Sequence, residues 1–127
     1  MRESIRDKER LEHILESINV LLESKERHQY NEVVADPILF YGFVKHVEII
    51  GEAVYMLTKE FRAEHDELPW DDIERMRHVL VHGYYRIRPE QLWETIETDI
   101  PTMKPYIEKM IEDYNNLAPE TNKENEL

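Results

Sequence analysis

The sequence predicts an all-α fold, a bundle of four or five helices, on three observations. Apolar residues recur at spacings of three and four through most of the 127 residues, the spacing of the buried stripe of a helix. Prolines and capping residues stand where helices would begin. The chain also lacks strand-type alternation, internal repeats and a glycine-rich phosphate loop. Together these features predict helices packed around one core.

The first helix is predicted over about residues 4–24, where charged residues separate the apolar positions. Its inward stripe comprises Leu11, Ile14, Leu15, Ile18, Leu21 and Leu22. The polar stretch KERHQYNEV then connects it to a second helix. That helix begins at Asp36 and Pro37, because aspartate caps helices and proline is favoured at the first helical position. It extends to about residue 61 as the central core helix, with Gly51 in the middle where a neighbour can pack closely.

Two further helical stretches follow. After Pro69, the segment WDDIERMRHVLVH places Ile73, Met76 and Leu80 inward, and acidic residues in its first turn suit a helix start. Gly83 ends this third helix, since glycine readily adopts the conformation that follows a last turn. Pro89 opens a fourth helix, PEQLWETIETDI, and Pro101 either kinks it or begins a fifth.

Length and composition predict one helical domain over residues 1–116 and a disordered acidic tail over 117–127. The chain has no cysteine, which fits an intracellular protein. Its N-terminus alternates charges, and no apolar run approaches the roughly 20 residues that span a bilayer. We therefore expect a soluble cytoplasmic protein that does not associate with membranes.

The charge is unevenly distributed. A formal net charge of −12 argues against a protein whose whole surface grips nucleic acid. Yet the segment RMRHVLVHGYYRIR, residues 75–88, contains arginines, histidines and tyrosines and no acidic residue. Any anion site must therefore be local, and this segment, called the basic window below, is the candidate.

Arg77 and His82 give the basic window a possible chemistry. An arginine is permanently charged and can hold a phosphate oxygen as charge develops on it. A histidine near a helix C-terminus can titrate near neutrality, so His82 can take the proton from a ribose 2′-hydroxyl that attacks the adjacent phosphate. This chemistry requires no metal. The two residues are five apart, about 140° around a helix, so they share a face only loosely or converge from two subunits across a two-fold axis.

Structural alternatives remain open for these residues. Arg77 can simply form an ion pair on the helix surface with Glu74 or Asp72, which is the usual role of a helical arginine. Tyr84 and Tyr85 can be core or rim aromatics. In that case the basic window is a solvated, salt-bridged helix end.

A metal site is a further, weaker alternative. His78 and His82 are four residues apart, with Glu74 one turn before them, a spacing that can bind metal on a helix. The paired Glu-x-x-His motifs of di-iron bundles are missing, so no metal is expected. Glu48 and Glu52 have the spacing of a solvated helix face.

The basic window and its surroundings resemble the HepT-like branch of the HEPN superfamily, small helical ribonuclease toxins. The signature of that family is Arg, four residues, His, any residue, Tyr, and it reads Arg77-HVLV-His82-Gly83-Tyr84 in this sequence. His78 fits the family's preference for a polar residue directly after the arginine. The segments IIGEAV, EFRAEHDELPWDDI and LWETIETDIP are also similar, so the resemblance extends over about residues 5–115 in an HEPN-like fold.

The resemblance implies a homodimer whose two motifs face a shared cleft and cut RNA without a metal or other cofactor. Arg77 and His82 would be the catalytic pair, with His78 and Tyr84 as auxiliary groups in the active site. We expect the other arginines of the basic window to bind RNA phosphates: Arg75, Arg86 and Arg88. The RNA would be a tRNA or an mRNA, and the product would end in a 2′,3′-cyclic phosphate.

The resemblance also implies a partner, a small MNT-type nucleotidyltransferase that acts as the antitoxin. It would transfer AMP from ATP to the motif tyrosine, which is Tyr84, although Tyr85 directly follows it. An attached adenylate would place negative charge and a bulky base beside Arg77. The alternative function is a non-catalytic helical module that binds a nucleotide or docks a nucleotidyltransferase.

Overall fold

The computed structural model describes the backbone at residues 2–83 and 87–126 and side chains at 6–78 and 87–117. It confirms the all-α fold, since every element in these ranges is helical. The elements are α1 (Arg2–Arg27), α2 (Tyr30–Ala35), α3 (Pro37–Met56), α4 (Lys59–Glu64), α5 (Trp70–Gly83), α6 (Pro89–Glu94), a π-helical turn (Thr95–Asp99) and α7 (Ile100–Glu126).

Helix α3 lies at the centre of the bundle, as its apolar sequence predicts. It packs against α1 on one side and α5 on the other, and α7 packs against α1. The helices bury one continuous apolar core. Its fully enclosed members are Leu11, Ile14, Ile18, Leu21, Val33, Val47, Ile50, Val54, Ile96, Ile100 and Ile107.

The predicted start of α3 is confirmed. Asp36 caps the helix, because its Oδ1 accepts the backbone N–H groups of Ile38 at 2.9 Å and Leu39 at 3.4 Å. Pro37 occupies the first turn, where its missing N–H has no helical partner to lose.

The predicted end of this helix, near residue 61, was wrong. Helix α3 ends at Met56, and Thr58 caps a separate helix α4 with its hydroxyl, which accepts the Phe61 N–H at 3.2 Å. Asp7 of α1, only 2% exposed, fixes this break. Its carboxylate accepts the Thr58 N–H at 2.9 Å and the Thr58 hydroxyl at 2.6 Å. Phe61 of α4 is also buried, so the apolar spacing continues across the break. This continuity concealed the end of α3 in the sequence.

The stretch between the first two predicted helices contains a short helix of its own, α2. The backbone N–H of Gln29 donates to Glu32 Oε1 at 3.0 Å, which ties the first turn together. Val33 lies in the core and anchors the turn to the bundle. Polar composition concealed this helix, since only one of its side chains is buried.

The helix that begins at Pro89 widens into a π-turn rather than breaking. The N–H of Ile100 donates to the carbonyl of Thr95, five residues earlier. Pro101 follows directly, and a proline can neither donate to the carbonyl four residues before it nor fit beside it in a regular α-helix. The wider turn accommodates the proline and connects α6 to α7 as one continuous helical segment.

Helix α7 continues to Glu126, through the segment for which a disordered tail was predicted. The domain at residues 1–116 and the disordered tail at 117–127 stay predictions. Among the described residues, no helix is both long enough and apolar enough to cross a membrane.

Candidate active site

Arg77 lies where α5 comes closest to α3. A Cβ atom placed on Gly51 of α3 would overlap the Cβ of Arg77 and would lie 3.1 Å from its Cα and 3.2 Å from its backbone N. Only a glycine permits so close an approach, so the expected close packing at Gly51 is confirmed. The glycine thereby brings the Arg77 side chain against the surface of α3.

Two neighbouring side chains of α3 hold the Arg77 guanidinium. Glu52 Oε2 lies 3.6 Å from Arg77 Nε, and the centre of the Tyr55 ring lies 4.9 Å from Arg77 Cζ. Because Glu52 and Tyr55 are three residues apart on a helix, they present one face to the arginine. We call Gly51, Glu52 and Tyr55 the Arg77 clamp.

The clamp leaves part of the guanidinium unsatisfied. Arg77 Nε is buried and makes no hydrogen bond within the described residues, since 3.6 Å to Glu52 is beyond hydrogen-bonding distance. The Arg77 side chain is 25% exposed. Nε is shielded from solvent, so an anionic oxygen would reach the guanidinium at its exposed quarter and form charge-assisted hydrogen bonds there.

The other residues of the predicted catalytic group continue along α5 and beyond it. His78 is exposed and follows Arg77 directly, about 100° around the helix. His82 belongs to the same helix, but its side chain lies outside the described residues, as do Tyr84 and Arg86. The arrangement of Arg77 with His82 therefore stays a prediction.

Arg75 and Arg88 occupy a different place from Arg77. Both line a cavity of about 310 Å³ between α5 and α6, which we call the α5–α6 cavity. Arg75 is exposed and pairs with Asp72 of its own helix at 3.0 Å. The structure thus divides the basic window, because Arg77 contacts α3 whereas Arg75 and Arg88 line this cavity.

Glu52 is a site residue that sequence reasoning missed. The acids considered as partners of Arg77 were those of its own helix, but Glu74 binds Arg62 at 3.2 Å and Asp72 binds Arg75. The structure corrects both, because the carboxylate that pairs with Arg77 in the described part of the chain is Glu52. Glu52 was interpreted as part of a solvated face, and it is indeed exposed on α3 while pairing across to α5.

One signal in the sequence pointed towards Glu52 and Tyr55. Gly51 marks a close approach between helices, and the residues beside it and one turn later must flank whatever packs there. The sequence does not say which helix makes that approach, so the arginine could not be identified.

No metal-binding arrangement is formed by the residues described. Among them, no group of three or more histidines, aspartates or glutamates is placed to hold an ion. Glu74, the acid of the considered metal site, instead contacts Arg62 Nη1.

Comparison with known proteins gives matches over most of the chain. A family model described as ribonuclease HepT-like matches residues 12–110. A protein of Caldanaerobacter subterraneus subsp. tengcongensis described as "Putative RNase" is 39% identical over 102 residues, which cover 80% of this chain and 91% of that protein. A "Probable ribonuclease HepT" of Thermococcus cleftensis is 33% identical over 103 residues, 81% of this chain and 94% of that protein. No solved structure matches.

Proposed function

This chain belongs to the HepT-like ribonuclease family, and from that membership we propose that it is a metal-independent endoribonuclease, the toxin of a toxin–antitoxin pair. The observation that carries the proposal is the clamped Arg77, which falls within the matched residues 12–110. Its guanidinium is held in place from α3 while a quarter of the side chain stays exposed. Such a fixed, accessible cation suits a phosphate whose negative charge increases during reaction.

In the proposed reaction Arg77 binds the phosphate and His82 transfers the proton. Arg77 binds a non-bridging oxygen of the scissile phosphate. His82 takes the proton of the neighbouring 2′-hydroxyl, whose oxygen then bonds to phosphorus. The bond from phosphorus to the 5′-oxygen breaks, and the protonated His82 returns its proton to that oxygen. The products are a 2′,3′-cyclic phosphate end and a 5′-hydroxyl end, with His78 and Tyr84 as auxiliary polar groups.

We propose that the active form is a homodimer of domains spanning residues 1–116. Arg77 and His82 are about 140° apart around a helix, so a site with both residues on one phosphate is more easily built from two copies. Two facing copies would also double the local positive charge on a chain of net charge −12. A monomeric mass in solution at micromolar concentration would contradict this.

The substrate is proposed to be a tRNA or mRNA in the cytoplasm, held by Arg75, Arg86 and Arg88. Arg75 must exchange its Asp72 partner for a phosphate, and the cost is small. Both side chains are about two-thirds exposed, at 70% and 68%, and ion pairs of that kind contribute roughly 0–1 kcal/mol.

The proposed antitoxin is an MNT-type nucleotidyltransferase that transfers AMP from ATP to Tyr84. The added phosphate would bring a negative charge next to the positive charge that RNA needs. Incubation with that enzyme and ATP should add AMP to the wild-type chain and to Tyr85→Phe, but not to Tyr84→Phe, as measured by intact mass. Modification lost only in Tyr85→Phe would move the site by one residue.

The nuclease itself is tested by cleavage of a mixed tRNA pool in excess EDTA. The wild-type chain, shown by intact mass to carry no AMP, is compared with His82→Ala, and His13→Ala serves as a control because His13 is an exposed histidine on α1. We expect the wild type and the control to cut RNA and to leave cyclic phosphate ends. No cleavage by the wild type would favour a non-catalytic docking module.

A further inference from the structure

The α5–α6 cavity has the size and lining of a small-ligand site. Its volume is about 310 Å³, within the usual range of ligand pockets. Val47, Met76 and Leu92 give it an apolar lining, of which Val47 and Leu92 are buried in the core. Polar side chains also line it, among them Gln91 and Thr95. A molecule with both apolar and polar parts would suit such a lining.

The π-helical turn forms one wall of this cavity. Thr95 and Asp99, its first and last residues, both line the cavity. A π-turn contains more than four residues, so residues four apart lie on the same side of it. π-turns inside α-helices frequently occur at functional sites. This one brings a hydroxyl, which donates and accepts, and a carboxylate, which accepts, to the same wall.

The charges of the cavity argue against a bare phosphate as its ligand. Arg75 and Arg88 are exposed and can reach an anion, but Asp72 and Asp99 also line the cavity and would repel one inside it. A nucleotide resolves this conflict. Its base covers the apolar lining and bonds to Gln91 and the π-turn, while its phosphate stays outside with the arginines.

We propose that the α5–α6 cavity is a nucleotide subsite, which takes one unstacked RNA base and binds the attached phosphate with Arg75 and Arg88. Single-stranded RNA is commonly recognised through bases that leave the stack and enter such pockets. The inference rests on the proposed function, because the strand would continue across α5, about 10 Å in width, to Arg77. The cavity would then give cleavage a sequence preference.

The test is a binding titration followed by NMR of the full chain. The probes are the four nucleoside 5′-monophosphates, inorganic phosphate, and a short 2′-O-methylated oligoribonucleotide that cannot be cut. Thr95→Val removes the hydroxyl that lines the cavity. Thr98→Val is its matched control, because Thr98 lies in the same π-turn and lines a different surface depression. Arg88→Gln is matched by Lys109→Gln, an exposed cation on α7.

We expect nucleotides to shift the amide signals of the π-turn, with the oligonucleotide binding more tightly than any mononucleotide. Thr95→Val should weaken binding by about three- to tenfold, the value of one hydrogen bond, and Arg88→Gln should weaken it as well, while both controls bind as the wild type does. Equal effects of Thr95→Val and Thr98→Val, or phosphate binding as tight as nucleotide binding, would overturn the proposal. Mononucleotides that bind as tightly as the oligonucleotide would overturn its RNA assignment.

This readout is independent of catalysis. Loss of cleavage in EDTA with intact nucleotide binding would defeat the proposed nuclease and leave the subsite standing. Normal cleavage without nucleotide binding at the π-turn would overturn the subsite and leave the proposed nuclease standing.

Discussion

Arg62 of α4 and Arg77 of α5 are both largely buried, yet they differ in how far their donors are satisfied. The Arg62 side chain is 17% exposed and contacts two carboxylates, Asp71 at 2.7 Å and Glu74 at 3.2 Å. Among the described residues, Arg77 has one carboxylate neighbour, Glu52 at 3.6 Å, and its buried Nε makes no hydrogen bond. Burial alone does not distinguish the two. The looser pairing and the greater exposure of its side chain leave Arg77, of the two, the more open to an anionic ligand.

The largest structural effect is expected from Gly51→Ala, which disrupts the packing of Arg77 against α3. The new Cβ would overlap the Cβ of Arg77, and overpacking of this kind costs roughly 1–3 kcal/mol of unfolding free energy. Displacement of Arg77 should also reduce RNA cleavage. Chemical denaturation and a cleavage assay measure both effects.

Gly42→Ala is the matched control for that substitution. A Cβ at Gly42, on the same helix, would have nothing within 4 Å, so the variant should gain up to about 1 kcal/mol from its better helix propensity. Equal stability of the two alanine variants would show that the helices do not approach closely at Gly51.

Arg62→Ala tests the satisfied arginine and should affect stability rather than activity. We expect the free energy of unfolding to fall by about 1–2 kcal/mol, because Arg62 is largely buried in its ion pair with Asp71 while Asp71 itself is exposed to water. Lys109→Ala, which removes an exposed pair with Asp113, should change stability by less than about 0.5 kcal/mol. Cleavage by folded Arg62→Ala should match the wild type, and a large loss would mean that this arginine also handles RNA.

Parts of the fold followed from short-range sequence signals. The start of α3 at Asp36 and Pro37 was predictable because cap and proline act within one turn. The end of α3 was not, since the apolar spacing continues to Phe61 and the break depends on Asp7, which is distant in sequence. Tertiary contacts of this kind leave no local pattern.

The same limit applies to the candidate site. The basic window indicated Arg77 as a candidate, and Gly51 indicated a close contact between helices. That these two residues contact each other can be seen only in the folded chain. Glu52 was therefore interpreted as a solvated residue. The sequence of the basic window also did not indicate that Arg75 would line a cavity while Arg77 would contact α3. The role of His82 stays a prediction.

A smaller effect is expected from the aromatic part of the Arg77 clamp. Tyr55→Leu removes the ring that lies 4.9 Å from Arg77 Cζ. An interaction of this type is worth about 0.5–1 kcal/mol at exposed sites, so cleavage should fall roughly two- to fivefold. Tyr55→Phe retains the ring and should cleave as the wild type does. If the two variants lose activity equally, the phenol oxygen matters rather than the ring.

The smallest effect concerns the stability of the fold at alkaline pH. Burial raises the pKa of Tyr114 above its ordinary value of 10.0, with the nearby carboxylates of Asp7 and Glu64 adding to the shift. The fold therefore favours the neutral phenol, and this contribution is present below the ordinary pKa and is lost as the pH rises through the raised one.

Tyr114→Phe should accordingly lose less stability than the wild type as the pH is raised past 10.0. Tyr106→Phe, at a more exposed tyrosine of the same helix, is the matched control. Thermal unfolding across alkaline pH measures the difference, and identical curves for wild type and Tyr114→Phe would contradict it.

The most direct test of Arg77 as a catalytic residue is the single-turnover rate of RNA cleavage by Arg77→Ala in excess EDTA, measured beside its unfolding temperature. We predict a rate at least about a hundredfold below the wild type, the usual cost of one charge-stabilising donor, in a chain that unfolds near the wild-type temperature. Cleavage by folded Arg77→Ala at the wild-type rate would contradict it, and Arg77 would then be a structural arginine like Arg62.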